Sequence, residues 1–583
     1  METDRRAKRK ILRKSYRRLS LVSMVVLVAT TVCSFVDNVV ISSLLGPKAL
    51  AAVGYFSPVS AISGLVFILI IGTSILCGNY IGGGQQKKVS SLFTSTFLVI
   101  VICSVLFAMS LVVFRNPISF ILGARNDAKI MLSDYIAGFA LSIIFSSLSA
   151  LLIAVASYNN EIKRSYVATA AIFFGNLVLD LLLARPYGTF GIGLASTFST
   201  LAAFLIILPG YIKKSATIHF ERGCFDIGEV LEATRRGLPS LLFTAGMFTK
   251  NILINYTMIS FSGDDGIAVA NVLNSMYGIA GTLIGGCTNA QATLLSLSYG
   301  EEDRDGYVDV FHIALKAGMV CTLILVAFMM VFNSQLSGVF FATQTNAYYL
   351  GQKMFLIGFW VFPLNFLMNL FMNSYKVQGK MKLVNIMSFL ETAMTGFITL
   401  MTVPVFGTNA AWLAGVWSDL VSIAIIVTSV FMWKKRVSLS TSDLLKLPND
   451  FGAKENEFAE YSIGDMPDVA KTSEAVMKFC RAKNVDGKKA LWASLCVEEV
   501  TKNVLQHGLI HGKQGLISVR IVCKDELTIR FFDDCRKFDP REHINLFDEK
   551  TPEKAIGLRM VAKLSSYMDY YNNAGINDLI LKF

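Results

Sequence analysis

The chain has 583 residues, of which 53% are hydrophobic and only 16% charged, with a mean hydropathy of +0.53. Soluble proteins carry about 25% charged residues, so a purely soluble enzyme is excluded, as are a disordered chain, a collagen and a disulfide scaffold, the 43 Gly and 10 Cys being scattered without period. Residues 437–583 hold 21 Lys+Arg and 22 Asp+Glu, a net of −1, so the whole basic excess, +13, lies among the apolar runs of residues 1–436, which argues against nucleic acid as a partner.

Residues 1–19 form a basic amino terminus, with nine Lys and Arg between Arg5 and Arg18. A membrane-spanning helix needs about 20 apolar residues. Twelve such stretches follow, near 20–45, 52–80, 90–114, 130–157, 165–184, 188–212, 237–262, 266–296, 311–333, 347–375, 383–403 and 409–433. The first is too long for a cleaved signal peptide, no small-residue cleavage site is clear, and eleven more follow it. With the amino terminus in the cytoplasm, 26 of the 33 basic residues fall on the cytoplasmic side, six fall outside and Lys250 lies within a span. The positive-inside rule therefore places both termini in the cytoplasm of a multi-pass protein of the cell membrane, whose cysteines are free thiols.

The spans repeat. Ser157-Tyr158 recurs as Ser374-Tyr375, Pro186-Tyr187-Gly188-Thr189 as Pro404-Val405-Phe406-Gly407-Thr408, and Tyr80 as Tyr299, at offsets of 217, 218 and 219. An even number of spans per repeat gives both halves one orientation, with a substrate site between them. The expected fold is an all-α polytopic membrane domain of two six-helix lobes, residues 20–212 and 237–433, followed by a polar linker at 437–457.

Residues 458–583 change character. Helices are expected at Pro467–Ala482, Lys488–Gly508 and Ile556–Tyr567, strands at Leu516–Cys523 and Leu527–Phe532, and an edge strand at Asp578–Phe583. This is an α+β sandwich, with helices on one face of a mixed sheet.

A few polar groups interrupt the apolar spans. Asp37 lies in the first; Asn176 and Asp180, four apart and so on one helix face, lie in the fifth. An intramembrane carboxylate costs roughly 2.5–3.5 kcal/mol on insertion scales and normally faces a water-filled cavity, where it carries ions or protons. Two carboxylates and an amide supply hard oxygens for a proton or a sodium ion. Lys250, Glu391 and Asp419 are the ionisable groups in the spans of the second half. In the terminal domain Glu499, Asn503 and His507 share a helix face; a Glu above an Asn suits a Mg²⁺ ion and an activated water.

The stretch Phe35-Val36-Asp37-Asn38-Val39-Val40 through Leu45-Gly46-Pro47-Lys48-Ala49-Leu50-Ala51-Ala52-Val53-Gly54 resembles the first-span signature of the multidrug and toxic compound extrusion (MATE) family. Gly72-Thr73-Ser74, Ile81-Gly82-Gly83-Gly84 and Gly191-Ile192-Gly193-Leu194-Ala195-Ser196-Thr197 fit its second, fifth-to-sixth span region. The resemblance covers about residues 15–436. It implies two six-helix lobes that expel organic cations or other small molecules in exchange for protons or sodium. It also implies an ion-coupling site at Asp37, Asn176 and Asp180, joined by Thr197. Lys250 stands where some members carry an acid, so a second ion site is not implied.

Residues 458–583 resemble the GHKL ATPase superfamily, nearest to its anti-sigma-factor serine kinases, through Glu498-Glu499 to His507-Gly508, Asp533-Asp534-Cys535-Arg536-Lys537-Phe538-Asp539-Pro540 and Ile556-Gly557-Leu558-Arg559-Met560-Val561. That resemblance implies ATP or ADP with Mg²⁺ as ligand, Asn503 on the metal, Glu499 as catalytic base, Asp533 on the adenine amino group and Gly557 in the nucleotide-binding motif. Cys535 and Arg559 replace glycines of the pattern. The domain is then either an ATPase or kinase, or a nucleotide-binding or protein-docking regulator. Three functions remain open: a cation-coupled exporter under such regulation, a membrane sensor acting through a regulatory protein partner, and a flippase for lipid-linked sugars.

Overall fold

The computed structural model describes residues 5–583 except 47–48, 50–51, 54, 57–58, 60–61, 63–64, 123, 160, 214–215, 222, 224, 342, 436–439, 455, 509–516, 525, 542–555 and 574; the side chains of 5–6, 26, 29–39, 42, 264, 267–268, 271, 556 and 573 also lie outside the description. Helix α1 (Arg5–Leu45) runs unbroken from the basic terminus through the first apolar stretch. It is followed by α2 (Val66–Gly82), α3 (Gln86–Val113), α4 (Asn126–Val155) and α5 (Ile162–Ile207). The second half holds α6 (Ile227–Gly300), α7 (Arg304–Val331), α8 (Asn346–Ile357), α9 (Val361–Val377), α10 (Met381–Phe406) and α11 (Ala410–Lys434). Among the described residues seven helices are long and apolar enough to cross a membrane: α3, α4, α5, α7, α8 with α9, α10 and α11. Apolar side chains such as Leu106, Phe174, Ile252, Ile324 and Met401 face outward, a surface fit for lipid rather than water.

Helices α5 and α6 are each a hairpin of two limbs. Gly188 (φ 58°) and Gly263 (φ 59°) reverse the chain in a conformation open to residues without a Cβ. Across the first turn Asn176 reaches Ser196, and across the second Asn274 reaches Asn251, both at 3.4 Å. The left-handed residues also repeat: Gly46 with Gly263, Gly84 with Glu302, Asn126 with Gln344, and Gly188 with Gly407 lie 217 to 219 residues apart. The backbone thus carries the same internal repeat as the sequence.

The two halves are pressed together at the end that carries the terminal domain. A Cβ on Gly72 would collide with the Ala233 carbonyl, and one on Gly237 with the Ile68 carbonyl. Asn79 Nδ2 donates to the Val377 carbonyl (3.1 Å), Tyr80 to Glu229 (2.7 Å), and Tyr158 shares a hydrogen bond with Ser296 (2.9 Å). Close helix approach through small residues is the usual way apolar helices associate.

The terminal domain has β1 (Phe458–Ile463), α12 (Met466–Ala482), α13 (Gly487–Asn503), β2 (Ile517–Cys523), β3 (Leu527–Asp533), α14 (Ile556–Leu564), β4 (Tyr567–Asn573) and β5 (Ile576–Lys582). Asp465 and Asp486 cap α12 and α13 by accepting backbone N–H groups, and Pro467 sits in the first turn where its missing N–H costs nothing. The sheet order is β1-β2-β3-β5-β4.

Three expectations are corrected. Every pairing is antiparallel, so the sheet is not mixed. The last strand is not an edge: β5 lies between β3 and β4. The third helix ends at Leu564, and Tyr567 opens a strand instead. Gly575, at φ 77°, lies between β4 and β5 where the chain folds back into an antiparallel pair, which makes both corrections one.

Alternation sorts each strand between two faces. Val519, Ile521, Ile529, Phe531, Leu579 and Leu581 pack with Val476, Cys480 and Val497 of the helices. The opposite face carries Arg520, Arg530, Phe532, Ile576, Asp578 and Ile580. Phe532, Ile576 and Ile580 join the core of the membrane domain. The linker is packed too: Leu445 and Leu447 are fully buried, and Tyr375 donates to the Leu444 carbonyl.

Candidate functional site

Asn176 and Asp180 lie on the first limb of α5 and are both buried, at 6% and 1% exposure. Asn176 Nδ2 donates to Ser196 Oγ on the second limb (3.4 Å). Thr197 is directed elsewhere: its hydroxyl donates to the Gly138 carbonyl of α4 at 2.8 Å. Ser196 is a member of the polar cluster that sequence reading missed. Asp37 lies on α1, which packs against α5, but its side chain is outside the described residues.

In the second half Glu391 (α10) and Asp419 (α11) are buried at 3% and 2% exposure. Glu391 Oε1 accepts from Asn365 Nδ2 (2.7 Å), and Ser418 donates to the Glu391 backbone carbonyl (3.0 Å). Lys250 sits on the first limb of α6, its Nζ 5.8 Å from the centre of the Tyr277 ring.

The three motifs of the terminal domain converge on one end of the sheet. Gly557 lies so close to Glu499 that a Cβ there would strike the carboxylate. Arg536 N–H donates to the Gly508 carbonyl (2.9 Å). Asp533 Oδ1 accepts from Cys535 N–H (2.9 Å) and Asn577 Nδ2 (2.6 Å), and burial pushes the Asp533 carboxyl up to about 6 despite those bonds. Asn577 in turn accepts from Tyr570 (2.6 Å). Tyr570 and Asn577 fall in the segments of the GHKL resemblance but were assigned no site role from sequence; both lie on the two strands whose arrangement was misread. Asn503 ends α13, and residues 504–508 form a π-helical turn, so His507 leaves the four-residue stripe expected of it. Arg541 grips Asp539 (2.8 Å) and also pairs with Asp569. Residues 509–516 and 542–555, which flank these motifs, are outside the described residues.

The opposite face of the sheet docks on both halves of the membrane domain and on α1. Arg530 Nη2 donates to the Gly82 carbonyl (2.5 Å), and Tyr567 to the Gly84 carbonyl (3.2 Å), both after α2. After α6, at the repeat-related position, Arg530 faces Glu301 (3.7 Å) and Lys524 faces Glu302 (3.2 Å). Asp303 is buried between Lys8 of α1 (2.6 Å) and Arg520 of β2, with Glu460 of β1 facing both cations at 3.6 and 3.7 Å. Burial would raise the Asp303 carboxyl, but Arg520 and Lys8 overcome it and hold it well below the carboxylate range. Burial pushes Glu301 up to about 7 against the pull of Arg530 and Lys8. Lys14 of α1 pairs with Asp534, next to Asp533.

The MatE family model matches residues 23–184 and 239–402, one stretch in each half. The chain belongs to the MatE family. A MATE structure solved in complex with MaL6 is similar in fold, with a TM-score of 0.66 at 21% identity, covering 75% of this chain and 98% of that one. A MOP-superfamily transporter from Pyrococcus furiosus gives 0.65 at 20% identity over 75% and 97%. A mutant of the Vibrio cholerae MATE transporter VcmN gives 0.66 at 16% identity over 75% and 99%. Among curated relatives, an FAD transporter of Shewanella oneidensis is 29% identical over 227 residues, 36% of this chain and 47% of that protein, so the chain spans about half the length of this relative. This MatE protein is therefore a membrane-embedded transporter of that family with an added β-containing terminal domain.

Proposed function

We propose that this transporter exports a small organic molecule in exchange for protons or sodium, and that its GHKL-like terminal domain regulates the exchange. Twelve spans in two six-helix lobes would place both termini in the cytoplasm of a cell-membrane protein. The observation that carries the coupling is the burial of Asp180 and Asn176 on one helix face beside Ser196. A carboxylate kept there against a desolvation cost of several kcal/mol is a functional group by default. Cation entry at Asp37, Asn176 and Asp180 would favour one lobe arrangement, and substrate the other, so each expels its competitor. The FAD transporter among the relatives makes flavin nucleotides the first substrates to try, beside fluorescent organic cations.

The regulatory reading is supported by docking. The sheet face touches the loops after α2 and α6, one from each lobe, on the side where the lobes are pressed together. A domain bound to both loops opposes their separation, and so opposes opening on the cytoplasmic side. ATP or ADP with Mg²⁺, at Asn503 and Asp533 with Gly557 lining the site and Glu499 as base, would act on Asp534 and its partner Lys14. The convergence of the three motifs supports nucleotide binding; Cys535 forms the Asp533 turn, its N–H bonded to Asp533 Oδ1.

The test is flux in proteoliposomes under an imposed pH or sodium gradient, comparing the full chain with Asp180→Asn. Gradient-driven flux lost in Asp180→Asn, with the protein still inserted, supports the assignment; undiminished flux sinks it. Nucleotide-dependent capture of a protein partner without any flux would favour the sensor reading.

A further inference from the structure

We infer that the cavity around Lys250 in the second lobe is the subsite for an anionic group, a phosphate or a carboxylate, of the transported molecule; this rests on the transporter reading above and names its substrate class. The cavity has a volume of about 40 Å³ and lies between both limbs of α6 and helices α10 and α11. Its walls are mixed: Asn251, Asn255, Asn274, Tyr277 and Trp412 join Lys250, beside apolar residues such as Ile254 and Leu273. That space admits a few water-sized groups, about one phosphate or carboxylate, so it would seat the charged end of a larger molecule.

Three observations converge on an anion. Lys250 is only 7% exposed, and among the described residues it makes no ion pair. The nearby carboxylates do not pair with it: Glu391 accepts from Asn365 through Oε1, and its Oε2 and the Oδ2 of Asp419, two turns along α11 from Trp412, have no hydrogen-bond partner among the described residues. Trp412 lines the same cavity and is 1% exposed, and its indole Nε1–H, a donor only, has no hydrogen-bond partner among the described residues. A buried donor left unmade is costly, and so is a buried ammonium. An anionic group seated in the cavity would pair with the ammonium and offer an acceptor on the side where Trp412 lies. Tyr277 donates its hydroxyl to the Gly358 carbonyl (3.0 Å), and no described hydrogen bond joins it to Lys250 or Trp412. The Asn251–Asn274 bond holds the two limbs of α6 together at the rim. The carboxamides of Asn251, Asn255 and Asn274 offer donors and acceptors to the polar groups beside the charge.

The experiment uses the purified full chain in lipid nanodiscs and measures equilibrium binding without any ion gradient. Two pairs of probes differ only by the charged group: FMN against riboflavin for phosphate, and benzoate against benzamide for carboxylate. At least one anionic member should bind about tenfold or more tighter than its neutral partner. Lys250→Gln should erase that preference, and Lys250→Arg should keep it, which separates charge recognition from loss of folding. Trp412→Phe should weaken the anionic member severalfold and leave the neutral one unchanged. Equal affinities within both pairs, no saturable binding of either anion at millimolar concentration, or a preference that survives in Lys250→Gln overturns the proposal. Because no gradient is applied, failure of ion coupling at Asp180 leaves this result untouched, and loss of charge preference leaves the coupling reading untouched.

Discussion

Arg520→Ala tests the docking of the terminal domain most directly. Arg520 is 4% exposed and stands on the sheet face between Asp303 and Glu460, both themselves buried. Lys8 stays within 2.6 Å of Asp303, so one of two cations is lost, and two carboxylates are left to share the other. Removing one partner of a buried ion pair costs about 3–5 kcal/mol. The surviving Lys8 trims this, so the lower end, about 3 kcal/mol, is the working figure. At 1.4 kcal/mol per factor of ten, the undocked population rises roughly a hundredfold. Hydrogen exchange with mass spectrometry reads this directly. Amides of residues 82–86, 301–303 and β2 should exchange faster, while those of α12 and α13, on the far face, keep their protection. Unchanged exchange at the two loops, or equal loss throughout the domain, refutes the reasoning: the first denies that the cluster holds the dock, the second that Arg520 acts at the interface rather than on folding.

Glu301 gives the dock a pH dependence. Burial raises its carboxyl from 4.5 to about 7, so the docked state binds more protons than the undocked one across that window. Docking is then firmest below about 4.5 and weakens as pH rises through about 7; Glu301→Gln should flatten this trend in an exchange series, and Asp303, held low, contributes only as pH falls toward 4 and below. Gly557→Ala places a methyl group against Glu499, an overpacking worth about 1–3 kcal/mol, and should lower the midpoint of thermal unfolding of the terminal domain by several degrees and abolish nucleotide binding in calorimetry. Thr197→Val removes a buried 2.8 Å bond to a backbone carbonyl and should cost about 1–2 kcal/mol of stability while sparing gradient-driven flux. Ser196→Ala should do the reverse, with reduced coupling and a stability change under about 1 kcal/mol, because its 3.4 Å bond to Asn176 is long; a coupling defect in Thr197→Val alone would reverse the two roles.

Much of the membrane domain was legible because length and apolarity are local properties. The stretches from 90 onward lie on the observed helices, and Gly188 and Gly263 fall in the short polar or glycine-bearing breaks between them. The Asn176–Asp180 face was legible for the same reason, since a four-residue spacing fixes it. Ser196 was not: its meeting with Asn176 depends on how the α5 hairpin closes, and a serine in a Gly-Leu-Ala-Ser-Thr run carries no mark of its own. The terminal sheet shows the same limit. Alternation located β2 and β3, but Tyr567–Asn573, with its mixed polar and aromatic residues, was absorbed into the preceding helix. Strand order is set by pairing between distant segments, and an all-antiparallel sheet cannot be told from a mixed one by pattern alone. The dock was hidden altogether, since Asp303, Arg520 and Lys8 read as ordinary surface charges until the fold buries them together.

Helix α1 is 41 residues long, about 60 Å at 1.5 Å per residue. One end carries Lys8 and Lys14, paired with Asp303 and Asp534; the other carries Asp37. A rod without a hinge cannot tilt at one end alone. If the first span swings when the lobes exchange sides, its far end sweeps across the sheet and strains the pairs with Asp303 and Asp534. The transport cycle then becomes a periodic tug on the turn next to Asp533, and the terminal domain would register turnover as well as restrain it.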